Sequence, residues 1–319
     1  MAPVIALSHI QKYYGDQLAL DDLSLSVEPG EVFGFLGQNG AGKSTSIRIL
    51  LGIIDPDGGS RQVLGASTAL EVSQRIGYLP EERGLYKRMS AERVIAYLGQ
   101  LKGMDAASAL EQARILLQRY GLGEAAKKRV QQLSKGMAQK VQVLSTLVHD
   151  PDLLILDEPF SGLDPVNQQV LEGLVGDMKR AGKTILFSTH VMQHAERLCD
   201  RVCIIAHGRD VFTGTVAEAR ALLPSRMILR TADDIAPLKA LPEVGQISAI
   251  RQAGRAGEAG TLVDYEIETL SHLSVERLVA FCAEKAISID YFTMIEPSLH
   301  DVFVHLVGDD QNRPLGDVA

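Results

Sequence analysis

Gly37-Gln38-Asn39-Gly40-Ala41-Gly42-Lys43-Ser44-Thr45 lies between an apolar run, Val32 to Leu36, and a stretch of helical periodicity at 43–52. The text fits G-x-x-x-x-G-K-[ST], and a strand before it with a helix after it is the context that gives the spacing meaning. The glycines allow positive φ and close backbone approach, so that successive N–H groups can face phosphate oxygens. The helix N-terminus adds the positive end of its dipole. Lys43 then supplies a point charge to β- and γ-phosphates, and the Ser44 hydroxyl an oxygen for Mg2+. These residues predict a nucleoside-triphosphate site.

A second element complements it. Leu153-Leu154-Ile155-Leu156-Asp157-Glu158-Pro159 reads as a buried strand ending in two carboxylates. A strand of a parallel sheet is apolar on both faces, and ligands gather at the C-terminal ends of such strands. Neighbouring residues on a strand point in opposite directions, so the two acids have different tasks. Asp157 fits a Mg2+ ligand, directly or through water. Glu158 fits the general base that polarises an attacking water.

Residues 1–222 alternate short apolar runs with helical segments. Strands are predicted at Val32–Leu36, Arg75–Leu79, Leu153–Leu156 and Thr184–Ser188, and helices at 43–52, 90–103, 136–149, 167–181 and 191–199. This order predicts an α/β fold with a mainly parallel sheet covered on both faces, preceded by a β-rich start with Pro29-Gly30 as a turn. The pattern changes at Leu223-Pro224-Ser225. Strands at 226–231, 244–250, 261–268 and 287–294, with helices at 234–241, 271–285 and 298–307, follow the order of a split βαββαβ, ferredoxin-like unit. GRAGEAG joins the two middle strands as a hairpin loop. The expected organisation is a nucleotide-binding domain at 1–222, a small α+β domain at 223–308 and a polar, disordered tail at 309–319.

The net charge of −8 disfavours non-specific binding to nucleic acid, which needs a basic face. Cys199, Cys203 and Cys282 are too few and too odd in number for a disulfide framework, and fit a reducing compartment. The start, MAPVIALSHIQKYYG, has no charged leader before an apolar stretch and does not read as a secretory signal. No run approaches the roughly 20 apolar residues of a membrane span, so any membrane role requires a partner.

Leu133-Ser134-Lys135-Gly136-Met137, opening a predicted helix upstream of the acidic strand, resembles the LSGGQ signature of ATP-binding-cassette (ABC) ATPases. A hydroxyl, a glycine and a helix N-terminus together make an anion site, and Ser134 is also a good N-cap. In that family the site contacts the γ-phosphate held by the opposite subunit, so the resemblance implies a homodimer enclosing two ATP molecules. Other matches follow in order. Tyr14 matches the aromatic that stacks on adenine. Ser161-Gly162-Leu163-Asp164 matches the loop that communicates across the dimer, and Ser188-Thr189-His190 the switch histidine that holds the base and the water in line. The resemblance covers about the first 222 residues. IGYLPEERGLY, LSKGMAQKVQ and the late EPSLHDVFVHL are similar to ATPase subunits of sodium-efflux and drug-export systems.

The resemblance therefore implies a P-loop ABC cassette with a helical signature subdomain. It implies catalytic Glu158 and His190, nucleotide contacts from Tyr14, the 37–45 loop, Ser134, Lys135, Gly136, Met137 and Asp164, and Mg2+ on Ser44, Glu81 and Asp157. Function as the ATP-hydrolysing subunit of an exporter, at the cytoplasmic face of the membrane through a separate permease, follows from it. The alternatives are a soluble ABC ATPase acting on nucleic acid or ribosomes, and a nucleotide-gated module without hydrolysis. Glu81 stands where the family usually has glutamine, Lys135 where the commonest signature has glycine, and Met137 where it has glutamine. Glu82 to Met89 matches the region that faces the permease. His190 and His194 sit at a metal-like spacing without an accompanying carboxylate set, and read against zinc. Lys127-Lys128-Arg129 reads as a solvated face, open to lipid headgroups or a permease.

Overall fold

Short apolar runs become the central strands, and the polar side chains among them, such as Asp157, Thr184 and Ser188, find hydrogen-bond partners within the protein. The computed structural model describes residues 2–82, 84–253, 262–270 and 275–310. Its first compact unit is Met1–Val216. In chain order this unit contains β1 (Ile5–Tyr14), β2 (Gln17–Val27), β3 (Val32–Leu36), α1 (Lys43–Leu50), β4 (Gly58–Val63), β5 (Ile76–Leu79), α2 (Ala91–Leu101) and α3 (Ala106–Arg119). It continues with α4 (Lys135–Leu147), β6 (Leu153–Asp157), α5 (Pro165–Arg180), β7 (Thr184–Thr189), α6 (Met192–Leu198), β8 (Arg201–Ala206) and β9 (Arg209–Thr215).

Six strands form one sheet in the order β5-β6-β7-β3-β8-β9, and β2-β1-β4 form a separate antiparallel sheet. All pairs of the larger sheet are parallel except β8 with β9. Every residue of β3, β6 and β7 is buried. Alternation along these strands feeds two cores. Leu154, Leu156, Ile185 and Phe187 join residues of α2–α5, whereas Leu153, Ile155, Leu186, Phe33 and Phe35 join those of α1, β1 and β2.

Helix α3 has no counterpart in the sequence reading. Its buried stripe is Ala109, Ala113 and Leu117, at i, i+4 and i+8, and alanine gives a weak apolar signal. Asp105 caps it by accepting from the N–H groups of Ala107 and Ser108.

The second unit is Ala217–Ala319. Contacts divide before the Leu223-Pro224-Ser225 boundary because α7 (Val216–Arg220) runs into this unit, where Arg220 pairs with Glu296 at 3.3 Å. There follow β10 (Ser225–Thr231), β11 (Val244–Ala253), β12 (Leu262–Thr269), α8 (Val275–Glu284), β13 (Tyr291–Ile295) and α9 (Leu299–Asp310). The strands pair antiparallel in the order β11-β12-β10-β13, the arrangement of a split βαββαβ. One expectation fails. The segment 234–241 is not an α-helix but a 3₁₀ turn at Ala236–Ala240, because Pro237 lies within it and Pro242 follows directly after it. The GRAGEAG loop, residues 271–274 and the tail beyond 310 lie outside the described residues. Among the described residues no helix is long and apolar enough to cross a membrane.

Phe187 is fully buried and meets Phe160 edge-on, with ring centroids 5.9 Å apart. Phe187→Ala is expected to destabilise the first unit by about 3–5 kcal/mol. Urea unfolding followed by circular dichroism reads this as a lower midpoint, and an unchanged midpoint contradicts the packing described.

Candidate active site

The strand order sets the site. β5, β6, β7, β3 and β8 lie side by side, with Asp157 in register with Ser188 and Leu36 with Thr189. Their C-terminal ends therefore present, in one row, Glu81, the Asp157-Glu158 pair, His190, the 37–42 loop and the His207-Gly208 turn. Three motifs far apart in sequence become neighbours because parallel strands end together.

Within the loop, Gly40 and Gly42 have φ of 84° and 110°. A Cβ on Gly42 would lie 2.6 Å from Leu20 Cδ2, and one on Gly37 would lie 2.6 Å from the Ile205 carbonyl oxygen. The glycines are thus required both for backbone conformation and for space. Lys43, at the start of α1, is buried. Its Nζ donates to the carbonyls of Gly37 and Gln38 at 2.8 and 3.1 Å and lies 3.5 Å from Glu158 Oε1.

Asp157 is 5 % exposed and Glu158 7 %. The Ser188 hydroxyl donates to Asp157 Oδ1 at 2.5 Å and accepts from the Glu158 N–H at 3.0 Å. Burial pushes the Asp157 carboxyl above its ordinary value. The Ser188 hydroxyl works against that shift, Glu158 adds to it, and Ser44 and Lys43 oppose it. Glu158 has φ of 47°, a left-handed backbone that is unusual for glutamate and that clusters at functional sites. This turn aims Oε2 at His190 Nδ1, 2.9 Å away, and leaves Oε1 buried without a hydrogen bond.

An open cavity of about 430 Å³ lies over the loop, lined by Asn39, Gly40, Gly42, Lys43, Ser44, Thr45, Glu81 and Glu158, with Gln17, Leu18, Ala19 and His207 on the other side. Gly37, Gln38 and Ala41 shape the loop, and the Ser44 hydroxyl favours the charged form of Asp157. Tyr14, 48 % exposed, sits outside these walls, opposite Gln17 in the β1–β2 hairpin.

The remaining predicted residues are not brought to the cavity. Ser134 caps α4, its hydroxyl accepting from the Met137 N–H at 3.2 Å, with Lys135 and Gly136 in the first turn. Asp164 caps α5 by accepting from the Asn167 N–H at 2.9 Å. His194 stacks on Phe160, with ring centroids 4.0 Å apart, and its Nδ1 lies 3.2 Å from Glu172 Oε1. Sequence reasoning missed Ser188 as a site residue, although it adjoins His190 in the quoted text. It also missed Gln139 and Gln142 of α4, which donate to the carbonyls of Pro159 and Glu82, both at 3.3 Å.

The ABC transporter family model matches residues 20–161. YhaQ of Bacillus subtilis, described as an uncharacterized ABC transporter ATP-binding protein, is 37% identical over 306 residues, 96% of this chain and 99% of that protein. This chain belongs to the ABC transporter ATP-binding proteins. The YhaQ match extends well past residue 216, so the relationship includes the second unit. The Nod factor export ATP-binding protein I of Cupriavidus metallidurans is 37% identical over 217 residues, 67% of this chain and 72% of that protein. A solved ATP binding subunit of an ABC transporter is 30% identical, with a TM-score of 0.63, over 69% of this chain and 92% of that one.

A buried, charged Asp157 is costly to the folded cassette. A carboxyl whose folded pKa is raised is penalised above that pKa, and the penalty vanishes as pH falls below the unfolded value. Asp157→Asn is therefore expected to raise the melting temperature of the nucleotide-free protein at pH 7. The difference should shrink toward pH 4. A variant less stable than wild type at pH 7 contradicts this.

Proposed function

We propose that this chain is the ATP-hydrolysing subunit of an exporter, driving a separate membrane permease through ATP-dependent dimerisation. The observation that carries the reading is the Glu158 carboxylate, held between Lys43 and His190 directly over the phosphate loop. Phosphate oxygens of bound ATP would take over the Lys43 contacts now made by the Gly37 and Gln38 carbonyls. Tyr14 would stack on the adenine. The Glu158 carboxylate would polarise a water for in-line attack on the γ-phosphorus. As the new P–O bond forms, the bond to the β–γ bridging oxygen breaks and ADP leaves, while Glu158 receives the water's proton. His190 keeps the base aligned.

Ser44, Asp157 and Glu81 supply the hard oxygens that Mg2+ prefers, and a cation beside Asp157 would relieve the charge that burial disfavours. When bound, Mg2+ would neutralise charge on the β- and γ-oxygens. Glu81 is exposed on the cavity wall. As a carboxylate it repels the polyphosphate by roughly 3 kcal/mol at about 6 Å and an effective dielectric of 20. ATP affinity should therefore depend more steeply on Mg2+ in wild type than in Glu81→Gln. Titrations at several Mg2+ concentrations measure this, and superimposable curves sink it.

Ser134–Met137 lie outside the chain's own cavity, which favours their use on the ATP of a second copy, as does Asp164 at the start of α5. A groove of about 230 Å³ between the loop after β5, α2 and α4 is lined by Tyr78, Leu79, Pro80, Leu85, Leu98 and Leu101. It suits an apolar helix of the permease at the cytoplasmic face of the membrane. The export direction draws on the Nod factor relative. Glu158→Gln is expected to lower turnover at least 100-fold and to trap an ATP-bound dimer. Phosphate release and light scattering in Mg-ATP test this. A variant that turns over normally, or stays monomeric, contradicts the mechanism. Wild type that binds ATP without turnover, alone or with its permease, would favour the non-hydrolysing alternative.

A further inference from the structure

The fold assembles a basic surface from two separate stretches. Residues 87–92 run beside 126–131: the Gln131 N–H donates to the Lys87 carbonyl at 3.1 Å, Val130 to Met89 at 2.9 Å, Ala91 to Lys128 at 3.0 Å and Glu92 to Ala126 at 3.0 Å. An antiparallel bridge pairs Ser90 with Arg129. Lys87 and Arg88 are thereby set beside Lys127, Lys128 and Arg129, and all five are exposed, as is Arg93 in the first turn of α2.

Elsewhere in this unit cations tend to be paired: Arg114 with Glu92, Arg119 and Arg180 with Asp177, Lys179 with Asp200. Among the described residues none of the six makes an ion pair. The nearest buried carboxylate, Glu92, is taken by Arg114 at 2.9 Å, and the exposed Glu124 pairs with none of them. On a chain of net charge −8, a group of unneutralised cations is a local reversal of sign. Such a group repels itself until an anion covers it. Tyr86, 50 % exposed, meets Tyr97 edge-on at the margin of the patch, and an amphipathic ring of this kind suits a membrane interface.

We propose that this surface rests on anionic lipid headgroups of the membrane that holds the permease. It adjoins the groove through Leu85 and Leu98, so a helix seated there would turn the patch toward the bilayer. That orientation rests on the groove reading above, but the charge argument does not. Each basic residue near an anionic surface adds roughly fivefold to binding, and the effect fades beyond a Debye length of about 8 Å at physiological salt. Nucleic acid is the weaker candidate, because the remaining surface is acidic and would repel a long polyanion.

The test is flotation of the full chain with phosphatidylcholine vesicles, with and without phosphatidylglycerol. Wild type should float only with the anionic vesicles and be released by high salt. Combining Lys127→Ser, Lys128→Ser and Arg129→Ser should weaken that binding more than tenfold, on the order expected for three cations, with ATP turnover unchanged. Wild type that never floats, a triple variant that floats as well as wild type, or binding to an RNA oligonucleotide but not to vesicles would each overturn the proposal. Leu98→Glu separates the two readings: it should release the permease and leave vesicle binding intact. Permease retained by Leu98→Glu would count against the groove alone, and loss of vesicle binding in that variant against the lipid surface.

Discussion

Two consecutive carboxylates buried at the end of one strand are the constraint around which the cassette is organised. Asp157 and Glu158 are each less than a tenth exposed, and charges removed from water must find partners or be neutralised. The partners come from the next two strands of the sheet, β7 and β3. β7 contributes Ser188, which binds Asp157 and the Glu158 backbone together, and His190 just beyond its end. β3 contributes the loop that carries Lys43 beneath Glu158. Removing Lys43 from the buried ion pair that it makes with Glu158 would cost about 3–5 kcal/mol. The site and the stability of the sheet edge are therefore one problem.

Two contacts in that arrangement bear on what it can bind. Glu158 Oε1 is buried without a hydrogen bond, and Lys43 donates to two main-chain carbonyls. A carbonyl is a weaker partner for an ammonium than a phosphate is. The loop thus holds its lysine through main-chain carbonyls that a phosphate could displace. The left-handed backbone of Glu158 is strain of the kind kept where a side chain must be aimed.

The phosphate loop and the acidic pair were legible because their chemistry is local: nine consecutive residues for one, a single strand end for the other. The central strands were legible because each is built on a run of apolar residues, such as Leu153–Leu156 and Ile185–Phe187. What the sequence hid are relations across distance. Ser188 lies 31 residues from Asp157, and nothing in its local text marks it as the bridge. Gln139 and Gln142 read as polar residues of a helix, yet they reach the loops after β6 and β5. Helix α3 was hidden because its core face is mostly alanine. The 234–241 segment does not become an α-helix because Pro237 sits inside it and Pro242 follows it, which leaves room for only a short 3₁₀ turn.

The departures at the signature follow from space. Lys135 is exposed in the first turn of α4, so the glycine usual there is not needed for packing, and a long side chain fits. Gly136 is different. A Cβ there would lie 2.3 Å from Asn167 Nδ2, and Asn167 is not free to yield, because Nδ2 donates to Asp164 Oδ2 at 2.6 Å and its N–H to Oδ1 at 2.9 Å. One glycine thus allows the start of α4 to pack against the start of α5, and fixes Ser134 relative to Asp164. Because α4 also holds the Glu82 and Pro159 carbonyls through Gln142 and Gln139, a displacement of its N-terminus would be felt at both ends of the acidic strand's loop system. Under the proposed dimer, the helix that would offer its N-terminus to a second copy is the same helix that steadies the chain's own cavity, so partner contact and catalytic alignment would share a single element.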